Sequence, residues 1–165
     1  MHDYFALFQL PAHFALDTAQ LDAAYRTLAM RFHPDRTASL SAFEQKQAMM
    51  MAATVNEAYR VLKQPLERAA YLLQEAGIDA DAPQHTQFAP EFLMQQMEWR
   101  EALGEADDAA ALSALAAEFD AARSEVEAEL EAAFAAKNHD AAADALRRGR
   151  FIHKLNEELA AKMPD

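Results

Sequence analysis

Residues that break helices are rare in this chain, and this rarity constrains its fold more than any other feature. The 165 residues include only 3 Gly and 6 Pro, while alanine, leucine, glutamate and glutamine dominate. These four residues favour helices, and no strand-like alternation of useful length is visible. Apolar residues make up 52% of the chain, which is enough for a packed core. The sequence therefore predicts an all-α protein.

The charge of the chain is negative and unevenly spread. The formal net charge is −12. Residues 1–77 carry seven Lys/Arg against eight Asp/Glu, a net of −1, and residues 78–165 carry eight against nineteen, a net of −11. Such an acidic half repels a phosphate backbone, so we expect no nucleic-acid partner. A solvated acidic surface that only aids solubility is an alternative explanation of this charge.

Several classes of site and location are excluded by composition. The chain has no cysteine, which rules out disulfides, thiolate metal sites and a cysteine nucleophile. The six histidines lack metal-ligand spacing, so we expect no metal and no cofactor. No run approaches the roughly 18 apolar residues of a membrane span, and the N-terminus lacks the basic start of a secretory signal. These features predict a soluble, cytoplasmic protein without a membrane partner.

The N-terminal part predicts a helical hairpin. Asp17 to Gln20 match a capping box, and His33-Pro34 ends the helix that starts there, because proline disfavours the α conformation of the preceding residue. A polar loop is expected to run to about Ser41. The apolar stripes of the two long helices, spaced three and four residues apart, are Leu21, Tyr25, Leu28 and Phe32, then Val55, Ala58, Tyr59 and Leu62. A shorter helix is expected over about 66–76.

The C-terminal half predicts a three-helix bundle. Its expected helices span about 90–106, 109–136 and 139–162, and the short connections between them imply antiparallel neighbours. Before this half, Gly77 suits the position just after a helix, and Pro83 follows it. We therefore predict a domain over residues 1–76, a linker over 77–87 and a second domain over 88–165.

The tripeptide His33-Pro34-Asp35 lies between the two helices of the hairpin. Three structural explanations are available for it: Pro34 ends a helix, His33 complements the helix dipole, and Asp35 caps a turn. An enzyme that uses His33 and Asp35 as an acid–base pair is another alternative. Against it, the sequence places neither a nucleophile nor a third polar group nearby, so no catalytic residue is predicted.

The residues around this tripeptide resemble the J-domain of the DnaJ class of co-chaperones. The resemblance spans residues 4–76. It rests on the tripeptide, the helix order and the segments Tyr25-Arg26-Thr27-Leu28-Ala29-Met30-Arg31-Phe32, Val55-Asn56-Glu57-Ala58-Tyr59-Arg60-Val61-Leu62 and Arg68-Ala69-Ala70-Tyr71-Leu72-Leu73. It implies a loop that docks on a DnaK-type ATPase and stimulates ATP hydrolysis. The implied contact residues are His33, Pro34 and Asp35, with Arg26, Arg31 and Arg36 as supporting positive charges.

The acidic extension is similar to that of the HscB family of iron–sulfur co-chaperones. The supporting segments are Asp3-Tyr4-Phe5, Leu7-Phe8, Phe92-Leu93-Met94-Gln95-Gln96-Met97-Glu98-Trp99-Arg100-Glu101, Asp140-Ala141-Ala142-Ala143-Asp144 and Arg150-Phe151. With them the resemblance covers essentially the whole chain. It implies that the ATPase partner is HscA and that the client is the scaffold protein IscU.

The helix expected from Pro90 shows two apolar stripes. At 100° per residue, Phe92, Trp99 and Leu103 form one stripe, and three other apolar residues point roughly to the opposite side with several glutamates. Either this second stripe packs on the N-terminal domain, or it is a partner site. The resemblance favours the partner site, and Phe151 is expected to join it. The predicted scaffold-binding residues are Leu93, Met94, Met97, Glu98, Glu101, Glu105 and Phe151.

Two other functions remain open at this point. A J-domain co-chaperone that serves a different client is the strongest alternative to the iron–sulfur assignment. A purely structural helical protein is the other, although such a protein would not need the His33-Pro34-Asp35 loop.

Overall fold

A computed structural model describes residues 3–82 and 87–164, and over these ranges the chain forms helices and no strands. The all-α prediction is confirmed. The helices, in chain order, are α1 Tyr4–Leu7, α2 Thr18–Arg31, α3 Pro34–Thr37, α4 Ala42–Lys63, α5 Pro65–Glu75, α6 Pro90–Glu105, α7 Ala109–Ala135 and α8 His139–Lys162.

The chain divides into two compact units. Unit 1 comprises Met1–Leu72 and unit 2 comprises Leu73–Asp165, so the division falls within α5. The predicted linker over 77–87 includes residues 83–86, which lie outside the described residues.

Unit 1 contains the predicted antiparallel hairpin, formed by α2 and α4. The rings of Tyr25 and Tyr59 stack with centroids 4.1 Å apart. Asp22 on α2 accepts hydrogen bonds from the Tyr59 hydroxyl at 2.7 Å and from the Lys63 ammonium at 2.7 Å. The buried residues of the core beneath these pairs are Phe5, Phe8, Leu21, Val55, Ala58 and Leu62. Aromatic stacking and cross-helix polar pairs thus fix the register of the hairpin.

The ends of the two long helices are capped by their own side chains. The Asp17 carboxylate accepts from the backbone N–H groups of Ala19 at 3.0 Å and Gln20 at 3.3 Å. Ser41 and Glu44 form a reciprocal capping box at the start of α4. Side-chain oxygens therefore satisfy donors that the first turn of each helix leaves without partners.

The loop between α2 and α4 is more ordered than the sequence predicts. The expectation of an irregular polar loop was wrong over Pro34–Thr37, which form the helical turn α3. Pro34 occupies the first turn of α3, where its missing N–H costs nothing and its fixed φ suits a helix. A residue that ends one helix thus starts the next.

Unit 2 contains the predicted three-helix bundle of α6, α7 and α8. Helix α8 buries several small residues, which are Ala142, Ala143, Ala145 and Gly149. Small side chains allow two helix backbones to approach closely, and α7 and α8 form the most extensive helix pair of the molecule. Helix α6 is attached through Trp99, whose ring meets Phe119 edge-on with centroids 5.6 Å apart and whose Nε1 donates to Glu118 at 2.9 Å.

Gly77 ends α5 as the sequence predicts. Its φ of +84° lies in the left-handed region that favours glycine. The N–H of Ile78 donates to the carbonyl of Leu73 at 2.8 Å, and the N–H of Gly77 donates to that of Gln74 at 2.9 Å. This pair of bonds is the Schellman motif, which satisfies the last carbonyls of a helix.

Candidate functional site

His33 acts as the N-cap of the α3 turn. Its Nδ1 accepts a hydrogen bond from the backbone N–H of Asp35 at 3.1 Å. A nitrogen that accepts carries no proton, so a neutral His33 has its proton on Nε2. The structural explanation that made Asp35 the cap is wrong, because His33 has that role and leaves the Asp35 carboxylate free of the backbone N–H groups of α3.

The polar groups of the tripeptide are presented to solvent. The side chain of Asp35 is 92% exposed and that of His33 is 57% exposed, with His33 Nδ1 and Asp35 Oδ2 3.6 Å apart. Acid–base catalysis usually relies on a site that excludes water. This exposed pair suits recognition by a partner and does not suit chemistry on a small molecule.

Two residues that the sequence did not single out hold the turn in place. Thr37 is buried, and its hydroxyl donates to the His33 carbonyl at 3.4 Å. Gln45 on α4 donates from Nε2 to the carbonyls of Ala38 at 3.0 Å and Leu40 at 3.1 Å. The only signal for these residues in the sequence is their polarity within a short distance of the tripeptide.

The three predicted supporting arginines are exposed. Arg26 and Arg31 lie on α2, and Arg36 lies on α3 directly after the tripeptide. The guanidinium of Arg31 is 5.4 Å from the centroid of the Phe32 ring, which restricts its position without burying it. Arg31 and Arg36 therefore lie within two residues of the tripeptide along the chain, and Arg26 lies about two helical turns before it.

A second candidate surface lies on α6, and we call it the α6 face. Its three apolar side chains, Leu93, Met94 and Met97, are 44%, 63% and 73% exposed. On the opposite side of the helix, Trp99 and Leu103 are buried. The predicted glutamates Glu98, Glu101 and Glu105 are exposed as well. The three apolar side chains of this stripe therefore do not contribute to the core of the bundle.

Phe151 on α8 adjoins the α6 face but is only half-buried. Its ring meets Phe92 edge-on with centroids 5.9 Å apart, and the Arg100 guanidinium lies 5.3 Å from its centroid. Arg100 also forms an ion pair with Glu158. A shallow depression of about 450 Å³ is lined by Gln96, Met97, Arg100, Glu101 and Phe151. Of these, Gln96 and Arg100 were not among the predicted site residues.

Comparisons with known proteins identify the family to which both parts of the chain are similar. The family model described as "DnaJ domain" matches residues 3–71, and that described as "HSCB C-terminal oligomerisation domain" matches residues 88–160. The chain is 52% identical over 166 aligned residues to the "Co-chaperone protein HscB homolog" of Neisseria meningitidis, covering 99% of this chain and 100% of that protein. The chain belongs to the HscB family of co-chaperones.

Solved structures of HscB proteins have the same fold. The chaperone HscB from Vibrio cholerae is similar with a TM-score of 0.88 and 42% identity, covering 96% of each chain. Human co-chaperone HscB is similar with a TM-score of 0.93 and 30% identity, covering 98% of this chain and 82% of that one. Helix order and fold are therefore shared across bacterial and human HscB proteins.

Membership of the family establishes the general function. The chain is a J-domain co-chaperone of iron–sulfur cluster assembly that works with a DnaK-type chaperone, and it is not an enzyme. Within the described ranges, no helix is both long and apolar enough to cross a bilayer. Among the same residues, no cluster of three or more His, Asp or Glu is arranged to hold a metal ion.

Proposed function

We propose that this chain stimulates the ATPase of an HscA-type chaperone through His33-Pro34-Asp35 and delivers an IscU-type scaffold protein bound on the α6 face. Both events take place in the cytoplasm. The observation that carries the proposal is the geometry of the α3 turn. The Asp35 side chain is 92% exposed, and the backbone of the turn that carries it is held by hydrogen bonds.

The fixed turn explains how a tripeptide in a loop can bind a partner. Ordering a flexible loop on binding costs conformational entropy, and a loop that is already ordered avoids much of that cost. His33, Thr37 and Gln45 order the turn before any partner arrives. Asp35 can then present a fixed negative charge to a donor on the ATPase, and the arginines meet acidic groups around it.

The α6 face supports the client half of the proposal. An exposed group of apolar side chains with a polar rim is the usual composition of a protein interface. Methionine suits such a surface because its side chain is flexible and polarizable. The three exposed glutamates would attract a basic client surface and mainly increase the association rate.

The two surfaces lie in different units of one chain, which suits delivery. A client held by unit 2 is tethered to unit 1, so its local concentration near an ATPase bound to unit 1 rises without any new contact. Scaffold should therefore add to the stimulation that the J-domain alone provides.

The ATPase half is tested by Asp35→Asn, which removes one charge and keeps the shape of the side chain. Single-turnover ATP hydrolysis by the HscA-type chaperone should fall to its basal rate with this variant. Asp107→Asn is the matched control, because Asp107 is an exposed carboxylate in the connection between α6 and α7. Full stimulation by Asp35→Asn would refute this half of the proposal.

The client half is tested by Leu93→Ala with Met94→Ala. Apolar anchors at an interface centre can each cost about 2 kcal/mol or more, so calorimetric titration of scaffold should show binding weaker by at least tenfold. Met163→Ala, at an exposed methionine after α8, is the control and should bind normally. If the wild-type chain stimulates the ATPase but binds no scaffold, the alternative of a J-domain co-chaperone for a different client is correct.

A further inference from the structure

Three large apolar side chains on the first half of α4 are exposed to solvent. Phe43 is 68% exposed, Met49 is 70% exposed and Met50 is 63% exposed. We call these three residues the α4 face. Single exposed apolar residues are normal on a protein surface, but three within eight positions of one helix form a patch that needs an explanation.

The fold of unit 1 does not need these side chains. The core side of α4 is marked by Ala48, Val55 and Leu62, which are buried. At 100° per residue, Phe43 and Met50 lie roughly 140° and 160° from Ala48 and so point away from the core. The start of α4 is set by the capping box of Ser41 and Glu44, for which no apolar residue is required.

The α4 face adjoins the turn that carries the tripeptide. Helix α3 packs on α4, and Phe43 lies in the first turn of α4, three residues after Leu40, whose N–H donates to the carbonyl of Thr37 at 3.0 Å. Leu40 is itself 41% exposed and continues the apolar surface toward α3. A partner that contacts Pro34 and Asp35 therefore has this apolar surface next to it.

Charge favours the ATPase over other occupants of the α4 face. Residues 26–50 carry four Lys/Arg and two Asp/Glu, a net of +2, within a chain of net charge −12. Two copies that each carry −12 repel one another, which disfavours self-association. A basic client suits the glutamates of the α6 face and not this positive end. A partner surface that is both apolar and acidic would complement the apolar α4 face and the positive charge around it, and we expect such a surface on the ATPase.

We propose that the α4 face is a second, apolar part of the surface that binds the DnaK-type ATPase, adjoining the His33-Pro34-Asp35 turn. This inference rests on the proposed function, in which that turn engages the ATPase. The two parts have different tasks. The turn triggers hydrolysis, and the α4 face adds affinity without changing the rate of the bound complex.

The test is the variant Phe43→Gln with Met50→Gln, titrated into the HscA-type ATPase. Glutamine keeps the helix propensity of α4 and removes the apolar surface. The half-maximal concentration for stimulation should rise about tenfold, which corresponds to about 1.4 kcal/mol. The maximal stimulated rate should remain that of the wild type, because the tripeptide is intact. Met163→Gln, the same exchange at an exposed methionine of unit 2, should change neither value.

Each result of this titration decides the proposal. In one outcome, the wild-type chain stimulates the ATPase and the double variant has the same half-maximal concentration. This result refutes ATPase binding by the α4 face and does not contradict the proposed function. No stimulation by the wild-type chain overturns both. A wild-type dimer in sedimentation analysis that the double variant abolishes identifies a second copy as the occupant and also overturns the proposal. If a thermal melt shows that the double variant is unfolded, Met50→Gln alone replaces it. This single variant should raise the half-maximal concentration for stimulation by a smaller factor.

Discussion

The two units carry their binding surfaces on different kinds of structure. Unit 1 presents polar groups of a short turn, held by side-chain hydrogen bonds to the backbone. Unit 2 presents apolar side chains along the outer side of a long helix whose inner side is buried. The turn depends on the chemistry of a few atoms in fixed positions, whereas the helix face depends on area and shape.

This difference predicts different responses to mutation. A single change of charge in the turn removes a specific contact that no neighbour can replace. Truncation of one side chain on a flexible, methionine-rich face leaves neighbours that can repack. Variants at the two surfaces test this contrast.

The largest effects are expected when scaffold binding and ATPase stimulation are both measured on variants of each surface. Asp35→Asn should bind scaffold with wild-type affinity while it stimulates no ATP hydrolysis. The Leu93→Ala and Met94→Ala variant should stimulate the ATPase alone as the wild type does and lose the additional stimulation by scaffold. Calorimetry and single-turnover hydrolysis on both variants measure this. Loss of both activities in either variant would show that the surfaces are not separate.

Phe151 should behave unlike its neighbours on the α6 face. Because its ring packs on Phe92 and under Arg100, Phe151→Ala should cost about 2 kcal/mol of folding stability as well as scaffold affinity. Met97→Ala, at a side chain that is 73% exposed, should leave the melting temperature within about a degree. Thermal melts of both variants check this. Equal melting temperatures would show that Phe151 belongs to the exposed surface alone.

The supporting arginines should affect affinity and not the maximal rate. Arg26→Glu with Arg31→Glu should raise the half-maximal concentration for ATPase stimulation several-fold, because exposed charges act mainly on encounter. The wild-type interaction should weaken as salt is added, and the variant should be less sensitive to salt. Titrations at two salt concentrations measure both effects. An unchanged half-maximal concentration would show that these arginines are only solvated.

The hairpin of unit 1 should lose stability in acid. Hydrogen bonds from Lys63 and Tyr59 lower the pKa of Asp22. A group whose pKa is lower in the folded state stabilises the fold above its unfolded pKa, and this contribution is lost as the pH falls through the folded pKa. Asp22→Asn should therefore melt below the wild type at pH 7, and the difference should shrink below about pH 4. A difference that stays constant from pH 7 to pH 3 contradicts this, and Asp107→Asn controls for the removal of one charge.

The smallest effect concerns the end of α7. Lys137 has a φ of +57° there, although side chains with a Cβ are strained in the left-handed region. Its N–H donates to the Phe134 carbonyl at 3.1 Å in the arrangement that Gly77 has after α5. Lys137→Gly should therefore raise the stability of unit 2 by about 0.5 to 1 kcal/mol, visible as a higher melting temperature. Lys154→Gly, in the middle of α8, should lower it instead.

The candidate sites could be predicted only in part. The tripeptide and the exposed stripe of α6 were found because a proline after a helix and a second apolar period are visible in neighbouring residues. Thr37 and Gln45 were missed because their hydrogen bonds form only when α3 folds and packs on α4. The half-burial of Phe151 was missed because Phe92 lies 59 positions earlier in the chain and meets it only in the bundle.

The sequence by itself determined the long helices of this protein and, within a residue or two, their ends. Periodicity, capping residues and prolines act within a few positions, and so they can be read along the chain. Only the tertiary structure decided that His33 caps a helical turn, that Phe151 is held by Phe92 and Arg100, and that Phe43 and Met50 remain uncovered. Those features depend on which side chains meet across helices, and packing fixes that only after the helices have assembled.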